Sequence, residues 1–132
     1  MSHPYDATFA WPFPSLPVFI RQVGETTGTS VLPALLDTGA DATLVSTAQL
    51  RAVQADELYQ TRMRSHWGEW RPVTVYLVDL EVAGHQLPGV EVVADDTSDS
   101  ILLGRNVLDK LILLLDGPGS QTDILTRRPP RL

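Results

Sequence analysis

The stretch that decides the fold is Ala34-Leu35-Leu36-Asp37-Thr38-Gly39-Ala40-Asp41-Ala42-Thr43. An apolar strand pattern runs straight into a carboxylate, and a glycine turn follows two residues later. That order holds Asp37 where the strand emerges into a cleft, with backbone N–H groups and the Thr38 hydroxyl available to orient it. Taken alone, the triplet is also what an ordinary strand-to-turn aspartate looks like. A second segment, Ile101-Leu102-Leu103-Gly104-Arg105-Asn106-Val107-Leu108, again carries an apolar strand into a glycine and then a helical turn. Leu35-Leu36-Asp37-Thr38-Gly39 and Leu102-Leu103-Gly104 form a weak internal echo, suggesting two half-motifs related by pseudo-symmetry.

Outward from the first segment, Ser30 to Leu36 and Val18 to Val23 are rich in β-branched and aliphatic residues and predict a hairpin across a Gly24 to Gly28 turn. Residues 1–17 alternate prolines with Tyr5, Phe9, Trp11 and Phe13, which predicts an extended arm laid over the body. Downstream, Ser46 to Leu58 places Ala48, Leu50, Ala52, Val53 and Leu58 at helical spacing behind a Ser46 or Thr47 cap. A second β region spans about Tyr59 to Val93, broken by turns at Gly68, Gly84 and Pro88-Gly89. Past a polar turn at Asp95 to Asp99, Ile101 to Leu103 reads as a buried strand and Arg105 to Lys110 as a helical turn. Leu111 to Leu115 reads as a strand stopped by Asp116-Gly117-Pro118, and Thr122 to Leu125 as a short edge strand before an Arg-Pro tail.

Composition narrows the function. A chain of 132 residues is one domain's worth, which excludes a two-domain enzyme. Sixteen acidic against ten basic side chains, net charge -6, leave no basic field for phosphates or anionic lipid, so neither nucleic acid nor a membrane is an expected partner. The absence of cysteine removes disulfides, thiolate zinc sites and thiol nucleophiles together. The longest apolar run, Leu111 to Leu115, is far short of the ~20 residues that span a bilayer. The N-terminus lacks a charged leader and is interrupted by Pro4, Pro12, Pro14 and Pro17, so the chain reads as cytoplasmic.

The two quoted segments together resemble the active-site loop and the downstream Gly-Arg-(Asn/Asp) signature of the retropepsin-like (retroviral-type) aspartic proteases, here in a single-lobe, bacterial-type form. The resemblance covers about residues 18 to 117. It implies an all-β fold: a closed β-barrel lobe with one or two short helices and a flap hairpin, working as a homodimer. The expected division is a Pro/aromatic arm over 1–17, the retropepsin-like domain over 18–118, and a C-terminal strand and tail over 119–132. By the same resemblance Asp37 is the catalytic aspartate, Thr38 supplies a hydroxyl that bonds across the dimer, and the Gly39 carbonyl meets substrate backbone. Asp41 pairs with Arg105 and also borders the substrate, and leaving either charge unpaired near a closed core would cost several kcal/mol. Family chemistry is activation of a water by two aspartates sharing one proton, because two anionic carboxylates ~3 Å apart cannot both stay ionised. This sequence holds one Asp-Thr-Gly, so the second aspartate is expected from another copy, with Asp37 facing its own equivalent on a two-fold axis. The family assembles partly by interleaving chain termini, for which Thr122 to Leu125 and the strand near Val18 are the expected edges; the alternative is that the arm and the Arg-Pro tail, which lengthen both ends, fold back on their own subunit and leave the dimer weaker.

The implied activity is an aspartic endopeptidase with a peptide or protein substrate and no cofactor. The alternative is a dimerisation or peptide-binding module of the same fold with little or no proteolysis. By register from Gly84, the hairpin tip over the cleft falls at Ser65-His66-Trp67-Gly68-Glu69-Trp70, with a single glycine where viral members are glycine-rich. Gly68, Trp67 and Leu102 are the further expected substrate contacts. Trp67 and Trp70 either pack plainly or lay an indole over the cleft, and His66 is expected in solvent. His3, His66 and His85 lack metal-ligand spacing, so no metal is expected. Asp95 to Asp99 misses the calcium-loop pattern, and Gly117-Pro118-Gly119-Ser120 lacks the Lys and helix of a phosphate cradle.

Overall fold

The computed structural model describes residues 2–64 and 67–130, which form ten strands and two short helices. In chain order these are β1 (Ser2–Pro4), β2 (Ser15–Arg21), β3 (Leu32–Leu36), β4 (Thr43–Ser46), α1 (Thr47–Ala52) and β5 (Asp56–Arg64). Then come β6 (Trp70–Val82), β7 (His85–Asp95), β8 (Ile101–Leu103), α2 (Arg105–Leu108), β9 (Ile112–Asp116) and β10 (Gln121–Leu125). Seven strands follow the order β2-β3-β8-β4-β7-β6-β5, and β2 also pairs with β6. That extra pairing closes six strands into a barrel and leaves β5 as an outer arm of the β5–β6 hairpin. No helix is long and apolar enough to cross a membrane.

Closure depends on how β2 divides its length. Ser15 to Val18 lies against Leu35 to Leu32 of β3, while Val18 to Arg21 lies against Val82 to Asp79 of β6. Pro17 and Pro33 face each other in the first ladder. Neither has an N–H to donate, so they fall where the ladder can spare two donors. The Pro17 carbonyl is still used, accepting the Ala83 N–H at 2.8 Å. Inward-facing Leu16, Val18, Ile20, Val78, Leu80 and Val82 are all 1% exposed or less and fill the barrel with Val45, Val92 and Leu103.

Several elements differ from the sequence expectation. The first strand of the barrel begins at Ser15 and ends at Arg21, rather than running from Val18 to Val23, and β4 was not foreseen. The helix expected to Leu58 stops at Ala52, and Leu58 belongs to β5. Ser46 does cap it, its Oγ accepting the Gln49 N–H at 3.2 Å. It ends because Gln54 takes φ 54° and the Gln54 and Ala55 N–H groups bond back to Arg51 and Leu50 carbonyls, a left-handed stop made without glycine. Pro88-Gly89 is not a turn but a bulge inside β7, where the register shifts between Val78 and Leu80 on β6. Asp79 fills that bulge: its carboxylate accepts N–H groups from Gly24 at 3.0 Å and Gly89 at 2.9 Å.

The termini also differ. Residues 2–4 of the arm form β1, which pairs with β10, and β10 pairs with β9. Thr122 to Leu125, expected as an edge, is therefore the middle of a three-stranded sheet within its own chain. Both sides of the strand holding Val18 are likewise taken, by β3 and β6. Neither edge named for interleaving is open; the terminal sheet leaves only the outer sides of β1 and β9 unpaired among the described residues.

Two predictions follow from these contacts. The Gly24 and Gly89 N–H groups, in that order of effect, hold the Asp79 carboxyl below its ordinary value of 3.8, with the Arg21 charge adding to them and burial opposing them. A carboxyl depressed on folding contributes stability above its unfolded value that is lost as pH falls through the folded one. Asp79→Asn should cost about 1–2 kcal/mol at neutral pH, and the gap to the parent in urea melts should shrink as pH falls below 3.8. The second concerns Gly104, where a Cβ would overlap the Ala42 carbonyl and lie 3.0 Å from that of Ala40. Gly104→Ala should destabilise by about 1–3 kcal/mol, read as a lowered Tm, because backbone on both sides must give way.

Candidate active site

Strands β3 and β8 run parallel, pairing Leu35 with Leu102 and Leu36 with Leu103, so the two quoted motifs emerge side by side. The ladder continues one step past the strand, where the Asp37 N–H donates to the Leu103 carbonyl at 3.0 Å. Asp37 is therefore fixed at the backbone before its side chain is considered. Its Oδ1 accepts the Gly39 N–H at 3.0 Å, and Oδ2 has no protein donor among the described residues. Asp37 is partly exposed, while Thr38 and Gly39 face solvent.

The loop from Thr38 to Thr43 is held entirely by the second motif. The Arg105 and Asn106 N–H groups donate to the Ala40 and Asp41 carbonyls at 2.8 and 3.3 Å. Thr43, fully buried, accepts the Gly104 N–H at 3.1 Å and donates its hydroxyl to Asn106 Oδ1 at 2.8 Å. Arg105 donates one guanidinium nitrogen to the Thr38 carbonyl at 2.8 Å and the other to the Asp41 carboxylate. The Arg105 and Asp41 side chains are 44% and 88% exposed. An exposed pair of this kind contributes about 0–1 kcal/mol, so the several kcal/mol expected for a pair near a closed core is corrected downward. What the guanidinium does is span the loop, gripping it at two points.

Beside the loop lies a cavity of about 530 Å³. Gly39, Ala40, Asp41, Ala42 and Leu44 form one wall, and Tyr59, Thr61, Met63, Val73 and Val75 of the β5–β6 hairpin form another. Register explains the second wall: Tyr59 opposes Val75 and Thr61 opposes Val73, so these side chains share one face of the hairpin. Glu91, Val93 and Asn106, with Arg62 and Arg64 of the hairpin, complete the lining. Of the expected site residues the cavity gathers Gly39 and Asp41. It does not gather Asp37, Leu102, Trp67 or Gly68. Leu102 is partly buried between Leu35 and Leu44. Trp67 is 87% exposed and Trp70 60%, with Arg62 lying 5.6 Å over the Trp70 ring. Ser65 and His66, at the expected tip, lie outside the described residues.

Tyr59 and Glu91 were not singled out by sequence. Tyr59 and Glu91 line the cavity together, and hydrogen bonding to Glu91, then burial and the Glu91 charge, hold the Tyr59 phenol above its ordinary range. The Asn106 amide donates to the Glu91 carbonyl at 2.9 Å, which ties this wall to the second motif. Alternation along Val90-Glu91-Val92 marks Glu91 as outward-facing, but nothing in it says what the residue faces. Among the described residues, no three His, Cys, Asp or Glu side chains converge as metal ligands.

Comparison with known proteins gives the family from a sequence model and the fold from solved structures. The model of the gag-polyprotein putative aspartyl protease family matches residues 24–110. Among solved structures, EIAV protease complexed with the inhibitor HBY-793 is 21% identical with a TM-score of 0.60, over 82% of this chain and 93% of that one. A retropepsin-like aspartic protease from Rickettsia conorii is 16% identical with a TM-score of 0.59, over 95% and 98%. The retroviral protease-like domain of Ddi1 from Leishmania major is 18% identical with a TM-score of 0.53, over 87% and 90%. No curated protein matches the chain by sequence. With the Asp37 loop and the Gly104-Arg105-Asn106 segment both inside the matched residues, the chain belongs to the gag-polyprotein putative aspartyl protease family and has the retropepsin-like fold.

Proposed function

We propose that the protein is an aspartic endopeptidase in which two copies each supply Asp37 to one active site. The observation that carries this reading is the state of the Asp37 carboxylate. It emerges at the end of a parallel strand pair, its backbone is bonded to Leu103, one oxygen is oriented by Gly39, and the other has no protein donor among the described residues. A group held this way can meet a water and an equivalent carboxylate from a second copy. Sequence supports the second copy, since there is one Asp-Thr-Gly per chain. In the pair, one aspartate is ionised and takes a proton from the attacking water, while the other is protonated and hydrogen-bonds the scissile carbonyl. The proton then passes to the leaving amine. Thr38, exposed beside Asp37, would offer its hydroxyl to the other copy, and Gly39 and Asp41 border the cavity that would take the peptide.

Asp37→Asn should abolish peptide hydrolysis, assayed by mass spectrometry of a peptide mixture, with an unchanged Tm, because the substitution removes the acid-base group at constant volume. Cleavage retained by the pure variant would defeat the aspartic mechanism. The parent's rate should fall on the alkaline side as the shared proton is lost, and a flat profile from pH 3 to 8 would favour the non-proteolytic module instead. Arg105→Ala should lower the rate about tenfold or more while moving Tm by only a few degrees. The exposed ion pair carries little stability, whereas small displacements of a positioned catalytic loop are expensive.

A further inference from the structure

We infer that the cavity beside the Asp37 loop takes a lysine or arginine side chain of the bound peptide, and that Glu91 is the residue that makes the choice. The inference rests on the protease reading for its substrate class, but not for its chemistry. Most of the lining is apolar or small: Ala40, Ala42, Leu44, Val73, Val75 and Val93. A lining of that kind suits a methylene stem and offers nothing to a polar head along its length.

The polar groups that line it differ in what they have left to give. Asp41 is engaged by Arg105. Asn106 is used at both ends of its amide, accepting from Thr43 and donating to the Glu91 carbonyl. Glu91 is different: it lines the cavity, and no cation among the described residues pairs with its carboxylate. A carboxylate has about four acceptor positions, so hydrogen bonding with Tyr59 leaves most of its capacity open.

Two arginines of the chain reach the same cavity and could in principle repel a cationic guest. Their placement argues otherwise. Arg62 and Arg64 lie three and five residues beyond Tyr59 on β5, roughly 10 and 16 Å along an extended strand. Both line the cavity on its hairpin-tip side, where Arg62 also lies against the Trp70 ring. The cavity is thus acidic at the Glu91 end and basic only toward the hairpin tip. A lysine or arginine entering from the loop side would lay its stem on the valines and place its head on Glu91. A norleucine side chain would fill the same apolar space and leave the carboxylate unanswered.

The test compares lysine, arginine, norleucine and glutamate, scanned through each position of otherwise identical decapeptides. Cleavage by the full-length chain is read by mass spectrometry. In parallel, binding of the fluorescein-labelled peptides to the full-length Asp37→Asn variant is read by anisotropy. At one position, lysine and arginine should exceed norleucine about tenfold in one or both readouts. Glu91→Gln should reduce that ratio to under threefold, and Glu91→Lys should turn the preference toward glutamate. Each ratio is taken within one variant, so a general loss of activity does not imitate the result. An unchanged ratio in Glu91→Gln, or no position that prefers a basic residue, overturns the inference. Cleavage without the Glu91-dependent preference would leave the protease reading standing and this one refuted. Glu91-dependent binding without any cleavage by the parent would do the reverse.

Discussion

Everything at the site depends on one backbone contact between segments more than sixty residues apart. Gly104 passes so close to the carbonyls of Ala40 and Ala42 that no side chain fits there, and that closeness lets Arg105 and Asn106 donate to the loop. Each bond is modest alone, about 1 kcal/mol net. Their joint effect is geometric. With the Asp37 N–H on Leu103, the Ala40 and Asp41 carbonyls on α2 and the Thr38 carbonyl on Arg105, the loop has almost no backbone freedom left between Asp37 and Thr43. A catalytic carboxylate needs that kind of restraint, because orientation must be established by folding and not at the moment of reaction.

The barrel supplies the restraint at a distance. Parallel pairing of β3 with β8 requires a long connection, and the chain spends β4, α1 and the whole β5–β6–β7 meander between them. That meander is also what builds the second wall of the cavity, so the length that parallel pairing demands shapes the space beside the Asp37 loop. Closure by β2 against β6 then locks the meander to the strand that begins the domain. In the terminal sheet, β1 covers the edge that β10 would otherwise expose and moves the open edge outward to β1 itself, with β9 the edge on the other side. Any association between copies must therefore use surfaces other than the sides of β10, or exchange β1 in the same register.

The Asp37 loop and the Gly104 segment were legible because both are strings of consecutive residues whose order carries the chemistry. The strands around them were legible from alternation, though their ends were not. Pro17 reads as a strand breaker until its partner proves to be Pro33 and its carbonyl proves to be in use. Gln54 gives no sign that it will stop a helix, because the left-handed stop usually advertises itself with glycine. Pro88-Gly89 carries every mark of a turn, and only Asp79, ten residues away, shows that the pair is a bulge with its N–H already answered. Thr43 to Ser46 is too short and too close to both loop and helix to display a period of its own. The meeting of Tyr59 with Glu91 was beyond reach for another reason: alternation assigns each side chain a face, but which faces meet across a cavity is decided by closure and register.

Charge is distributed over this frame in a way that separates structural carboxylates from available ones. Asp79 is consumed by two backbone N–H groups and Asp41 by Arg105, so neither has much attraction left for a ligand. Asp37 has one oxygen oriented by Gly39 and the other without a protein donor among the described residues, and the Glu91 carboxylate has no cationic partner among them. The overall charge of -6 would draw cationic peptides toward the molecule. At physiological salt, however, that field decays within about 8 Å. Long-range attraction therefore cannot distinguish one residue of a peptide from its neighbours. Discrimination has to come from a charge met at contact. Glu91, on the cavity wall and without a cationic partner among the described residues, is the group we propose for that part.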